Sequence, residues 1–165
     1  MFQIVSLLVI AALTAIDRVT KLAILSTVKV NGPIEFLGGL FQFRYTENTG
    51  AAFSSFSDNT DTLTIFTGIV ILGCMLVLMT RKLDTLFPNI CLIMITAGGI
   101  GNFIDRLMYG FVVDFIEPLF IDFAVFNFAD CCITVGAFLL IGYEIYLIAK
   151  DNKKGKENDP TDTES

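Results

Sequence analysis

Four stretches of this chain are each long and apolar enough to cross a lipid bilayer, and nothing else in the sequence limits its fold so strongly. They cover roughly residues 2–25, 63–80, 88–108 and 129–149 of a 165-residue chain that is 54% hydrophobic. Crossing takes about 20 apolar residues, because a helix rises roughly 1.5 Å per residue against a hydrocarbon layer of about 30 Å. The backbone finds no water there, so each span must close its hydrogen bonds within a helix. The expectation is one integral membrane domain over residues 1–150, followed by a charged cytoplasmic tail, 151–165, without fixed structure. The first run has no Lys or Arg before it, and Leu13-Thr14-Ala15 is not a small-x-small cleavage site. It reads as a retained first helix and not as a cleaved leader.

Charge placement orients the spans. Arg81 and Lys82 follow the second run, and Lys150, Lys153, Lys154 and Lys156 follow the fourth. The positive-inside rule therefore puts the 81–87 loop and both termini in the cytoplasm. Loops 26–62 and 109–128 then face outward. The net charge of −6 comes without any basic patch, so nucleic acid is not an expected partner.

Against this apolar background two aspartates stand out. Asp114 lies in Val112-Val113-Asp114-Phe115, and Asp130 opens the fourth run in Phe126-Asn127-Phe128-Ala129-Asp130. An ionised carboxylate at a span centre costs about 2.5–3.5 kcal/mol on insertion scales, so acids near lipid ask for a reason. Two carboxylates held close cannot both ionise easily, which supplies one acid and one base near neutral pH. The chain contains no histidine, which excludes Ser/His and Cys/His nucleophile systems and argues against a typical zinc-hydrolase site. Cys74, Cys91, Cys131 and Cys132 lack metal or redox spacing and read as small packing residues. No metal and no cofactor is expected.

Other polar residues have local explanations. Asp17 and Lys21 are four apart on one helix face, which fits an ion pair with Lys21 snorkelling to the interface. Phe41 to Thr46 alternates aromatic and polar residues, the pattern of a half-buried strand. Residues 34–37 are a plausible partner strand across Gly38-Gly39, giving a small sheet on the outer surface. Ala97-Gly98-Gly99-Ile100-Gly101 would let another helix approach closely. Asn102, Asp105 and Arg106 share a helix face beyond it. Asn127 and Asp130 have the spacing of an N-cap and an acid in the first helical turn. Residues 109–128 read as an aromatic outer loop.

Five of these patterns occur in order: Asp17-x-x-Thr20-Lys21, Asn48-x-Gly50-Ala51-Ala52-Phe53, Gly98-Gly99-x-Gly101-Asn102-x-x-Asp105-Arg106, Val112-Val113-Asp114-Phe115 and Phe126-Asn127-x-Ala129-Asp130. Together they resemble the lipoprotein signal peptidases (signal peptidase II), aspartyl proteases of the bacterial inner membrane. The resemblance implies an all-α membrane protein with four transmembrane helices and a small extracytoplasmic β-sheet cradle. It implies removal of the signal peptide from a prolipoprotein, by a cut just before its diacylglyceryl-modified cysteine. Asp114 and Asp130 would be the catalytic pair. Asp17, Asn48, Asn102, Arg106 and Asn127 would be supporting groups, with Lys21 and Gly50 from the same motifs. One departure is visible: Arg18 stands where the family usually has glutamine.

Such a pair would hydrolyse an amide by acid–base catalysis. One aspartate takes a proton from the attacking water, while the other protonates the carbonyl oxygen and later the leaving amine. Arg106 is expected to orient Asp105, a neighbouring carbonyl or the substrate backbone. Two other readings stay open on residues alone. One is a Ser/Lys dyad of Ser54 or Ser55 with Lys21. The other is a proton or ion relay through buried acids.

Overall fold

The computed structural model describes residues 1–50, 60–80 and 85–157. Four long helices carry the chain: α1 (Phe2–Ser26), α3 (Thr60–Thr80), α4 (Leu86–Tyr109) and α5 (Phe128–Glu157), with a short α2 (Val28–Asn31) after the first. All four long helices have the length and apolarity to cross a membrane. Between them run three strands, β1 (Ile34–Phe36), β2 (Phe41–Asn48) and β3 (Val112–Pro118). The protein is thus mostly helical, with one small antiparallel sheet.

Helix α4 is the central post, packing on α1, α3 and α5. Its sequence explains why. Gly98, Gly99 and Gly101 each serve a different neighbour. A Cβ at Gly98 would overlap the Ala129 carbonyl oxygen of α5, and one at Gly99 would stand 3.0 Å from Ile71 Cγ1 of α3. A Cβ at Gly101 would stand 2.5 Å from Asp17 Oδ2 of α1. Gly136 repeats the device from α5, where a Cβ would lie 2.9 Å from the Cys91 carbonyl oxygen. Backbone meets backbone, which is how helices associate where no hydrophobic effect drives them. Pro88 sits in the first turn of α4, and Gly110 ends it with φ 77°, a left-handed stop that a glycine takes without strain. Ile10, Leu78, Ile93 and Ala97 form the apolar centre of the bundle.

The sheet has the order β1-β2-β3. The expected hairpin is present: Ile34 pairs with Phe43 and Phe36 with Phe41, across a 3-10 turn at Leu37–Gly39. The third strand corrects the expectation of an aromatic loop over 109–128. Val112, Val113, Asp114 and Phe115 are all buried, so both faces of β3 are covered and no alternation marks it. It pairs with β2 from Phe41↔Pro118 to Asn48↔Val112, with an irregularity between Phe43 and Thr46. Ile24, Val28, Val113 and Phe115 make the apolar cluster that seats the sheet on α1 and α2.

The tail is a second difference. Helix α5 continues past the span to Glu157. Lys and Glu are good helix formers, and a helix leaving lipid for water loses nothing by continuing. Residues 158–165 lie outside the described residues, as do Arg81, Lys82 and the 51–59 segment with Ala51, Ala52, Phe53, Ser54 and Ser55.

Candidate active site

The site begins at the N-terminus of α5. Asn127 caps that helix: its Oδ1 accepts the Asp130 backbone N–H at 2.9 Å, and Asp130 Oδ2 accepts the Asn127 backbone N–H at 3.1 Å. Asp17 Oδ1, reaching across from α1, accepts the Ala129 N–H at 3.0 Å. Three backbone donors that a helix start leaves without partners are thus satisfied by side chains.

The two aspartates meet through Asn127. Its Nδ2 donates to Asp114 Oδ1 at 2.6 Å. Asn48, at the end of β2, donates from Nδ2 to Asp114 Oδ2 at 2.8 Å. Asn102 of α4 donates from Nδ2 to Asp130 Oδ1 at 2.7 Å. Each carboxylate therefore accepts two hydrogen bonds, and an asparagine from a different element holds each one. Asp114 is 1% exposed. Burial, and after it the charge of Asp130, push its carboxyl up to about 7, so the group holds its proton half the time near neutral pH.

Behind the pair sits a buried ionic cluster. Lys21 is fully buried, not snorkelling as its position near a helix end suggested. Its ammonium has three donors and three acceptors: Asn102 Oδ1 at 2.9 Å, Asp17 Oδ2 at 2.9 Å and Asp105 Oδ2 at 2.8 Å. Full satisfaction is what permits a lysine there. Asp105 Oδ2 also accepts the Val113 N–H at 3.1 Å, which ties β3 to α4. Its Oδ1 is ion-paired with Arg18. Of the three partners expected for Arg106, Asp105 is therefore bonded elsewhere, to Lys21, Arg18 and the Val113 N–H, while Arg106 lines the cavity. Asp105 was legible as a neighbour of Asn102 on one helix face, but its role as an anchor for Lys21 was not, because both cations come from α1.

On the open side lies a cavity of about 540 Å³. Asp130, Arg106, Asn48 and Gly50 supply its polar rim, while Val125, Phe126, Thr134 and Val135 are among its walls. Part of the aromatic 109–128 stretch thus flanks the site, as Phe123 also lines the cavity; the 34–46 hairpin does not line it. Arg106 Nε is buried without a hydrogen-bond partner among the described residues. Among those residues no group of three or more His, Cys, Asp or Glu side chains is arranged to hold a metal ion. The structure brings together Asp114, Asp130, Asp17, Lys21, Asn48, Asn102 and Asn127 in one bonded network, with Gly50 and Arg106 at the cavity beside it. Gly50 N donates to Asn48 Oδ1 at 3.0 Å, which fixes the amide that faces Asp114.

Four spanning helices, a small sheet and a hydrogen-bonded carboxylate pair at the mouth of an apolar cavity define a multi-pass membrane protein with the means for acid–base chemistry. Comparison with known proteins narrows this. The family model for signal peptidase (SPase) II matches residues 9–146. The lipoprotein signal peptidase of Streptococcus thermophilus (strain CNRZ 1066) is 40% identical over 132 residues, covering 80% of this chain and 86% of that protein. That of Streptococcus pyogenes serotype M5 (strain Manfredo) is 38% identical over 129 residues, covering 78% and 85%. A bacterial membrane enzyme solved by the in meso method at 2.3 Å superposes with a TM-score of 0.79 at 31% identity, covering 94% of this chain and 93% of that one. A second, solved at 1.9 Å, gives 0.74 at 32% identity over 83% and 90%. The chain belongs to the signal peptidase II family.

Proposed function

We propose that this protein is an aspartic endopeptidase that removes the signal peptide from prolipoproteins, cutting before the diacylglyceryl-modified cysteine. The observation that carries the reading is Asn127, which bonds Asp130 through its backbone and carbonyl oxygen and Asp114 through its amide nitrogen. Two carboxyls on one bridge, one of them titrating near neutrality, form a pair that shares a proton, and the proton belongs to the pair as a unit.

A water between the carboxyls gives up a proton to the ionised member as it attacks the scissile carbonyl. The protonated member donates to the carbonyl oxygen, and a proton then passes to the departing amine. Hydrolysis is complete with groups of the chain and one water. Asn48 and Asn102 hold the carboxyl planes, while Arg106 offers its guanidinium to a substrate carbonyl or ester at the cavity rim. The apolar cavity wall along α5 suits a lipid-modified substrate that arrives sideways from the bilayer. Both termini lie in the cytoplasm in this reading, with the site near the extracytoplasmic face of a bacterial inner membrane.

The test is cleavage of purified diacylglyceryl-modified prolipoprotein in detergent, with and without chelator. Asp114→Asn and Asp130→Asn should each fold and lose turnover by at least about 10³-fold, while chelator has no effect. Near-normal turnover in either variant would overturn the assignment of the pair. Loss of activity with chelator would overturn the metal-free chemistry. Lys21, with all three donors bonded to Asp17, Asp105 and Asn102, is poorly placed to serve a serine as base.

A further inference from the structure

We propose that Arg18 is a positioning residue for the carboxylate pair, its guanidinium neutralising Asp105 so that the Lys21 charge is left to act on Asn102 and the aspartates beyond it. The activity readout of this proposal rests on the peptidase reading above. Lys21 lies between Asp17 at 2.9 Å and Asp105 at 2.8 Å, so these three buried groups alone carry one net negative charge. Arg18 brings the sum to zero. It is ion-paired with Asp105 Oδ1, which leaves Oδ2 to Lys21 and the Val113 N–H.

The arginine is held in this position from outside. Its second terminal nitrogen donates to the Tyr109 hydroxyl at 3.4 Å, and the guanidinium lies 5.8 Å from the centre of the Tyr109 ring. Tyr109 is the last residue of α4, where the helix carbonyls favour a cation. Arg18 is 18% exposed whereas Lys21 and Asp105 are fully buried, so it forms the rim of the cluster and its removal opens the cluster without removing the core.

The charged groups around Asp105 are Asp17, Arg18 and Lys21 on α1 and Arg106 on α4, and those that face the pair, Asp114 on β3 and Asp130 on α5, are Lys21 and Arg106. Lys21 favours the ionised form of Asp114, and Asp130 opposes it. Removing the Arg18 charge makes the field at the pair more negative. A carboxylic acid then ionises less readily, so both limbs of the pH–rate profile move to higher pH. By Coulomb's law two unit charges on the order of 10 Å apart, at an effective dielectric of about 20, interact by roughly the equivalent of one pH unit.

The test uses the full-length protein in detergent and a set of variants with opposite signs. R18Q keeps a donor for Asp105 and drops the charge, so both limbs of kcat/KM against pH should rise by about half to one unit. R18K keeps the charge and should follow the wild-type curve. D105N leaves the cluster with an excess cation and should move the limbs down. R18Q/D105N is neutral again and should return toward wild type, which a merely structural role does not allow. An infrared titration of 13C-aspartate carboxyls, with the Asp114 band identified by its loss in D114N, reads the same shift without substrate. Unmoved limbs in R18Q together with an unmoved Asp114 band, limbs in R18K displaced as far as in R18Q, or a double variant farther from wild type than either single one would each overturn the proposal. A displaced Asp114 band with an unchanged cleavage profile would support the charge effect and refute the peptidase role of the pair.

Discussion

Asn127 and Asp130 exchange hydrogen bonds around the first turn of α5, each side chain accepting the other's backbone N–H, at 2.9 and 3.1 Å. This is the reciprocal cap of a helix start, with aspartate in the place where glutamate is usual. Because the free amide nitrogen of Asn127 holds Asp114 at 2.6 Å, the beginning of the helix and the geometry of the carboxylate pair are one arrangement.

Two substitutions at this position separate the two duties. Asn127→Ala removes the cap and the bridge, and should cost about 1 kcal/mol of stability together with at least about a 100-fold loss of turnover. Asn127→Asp keeps a capping oxygen but sets a third carboxylate against Asp114. It should unfold near the wild-type temperature and be inactive. Thermal unfolding in detergent and cleavage, measured on the same preparations, check both; an active Asn127→Asp protein would contradict the bridging role.

The raised Asp114 carboxyl has a consequence for stability against pH. Its value in the folded protein, about 7, lies above the ordinary 3.8 of the unfolded chain. Below about pH 4 the group is protonated in both states and contributes nothing. Between about pH 4 and 7 the folded state holds the proton more tightly, so stability falls as pH rises, by an amount on the order of 4 kcal/mol in all. Asp114→Asn carries no such dependence. The difference in Tm between it and wild type should therefore shift in favour of the variant from pH 4 to pH 8. A difference that stays flat over that range would show that Asp114 is not buried as an acid.

Lys21 should be more costly to lose than any residue of the pair. Lys21→Met is close in volume but leaves Asp17 and Asp105 without their shared cation, a loss of about 3–5 kcal/mol. Adding Asp105→Asn to that variant removes one of the stranded charges and should recover part of the loss. Chemical unfolding of the single and double variants provides the measurement, and a double variant less stable than the single one would count against the cluster as described.

Glycine 101 should be as intolerant as a catalytic residue, for a steric reason. A Cβ there would lie 2.5 Å from Asp17 Oδ2, so Gly101→Ala pushes Asp17 off the Ala129 N–H. Overpacking of this kind costs about 1–3 kcal/mol. Gly73, with open space around it, should accept alanine without loss. The comparison of Tm for these two variants isolates the contact from the intrinsic cost of changing a glycine.

Much of this was legible beforehand because it is local. The four helices show as apolar runs, the β1–β2 hairpin shows as alternation around Gly38-Gly39, and the Asn127–Asp130 cap shows as a three-residue spacing. What the sequence does not display depends on partners far along the chain. Strand β3 is covered on both faces and carries no periodic mark. Lys21 looks like an interface lysine until Asp105 and Asn102 arrive from α4, 84 and 81 positions later in sequence. The glycines of α4 read as packing residues, which they are, but which helix each one admits is a property of the assembled bundle.

The bond from Asp17 to the Ala129 N–H joins residues 112 positions apart. It links α1 with α5, and the order in which helices enter a membrane gives it a temporal meaning. A nascent chain that has delivered α1 through β3 to the membrane already contains Asp114, Asn48 and Arg106, yet it has no capped α5 and no Asp130. On the proposed function, a chain held at that stage carries only half of the pair and does not cleave. In that reading the order of insertion does for this protein what a propeptide does for a soluble protease.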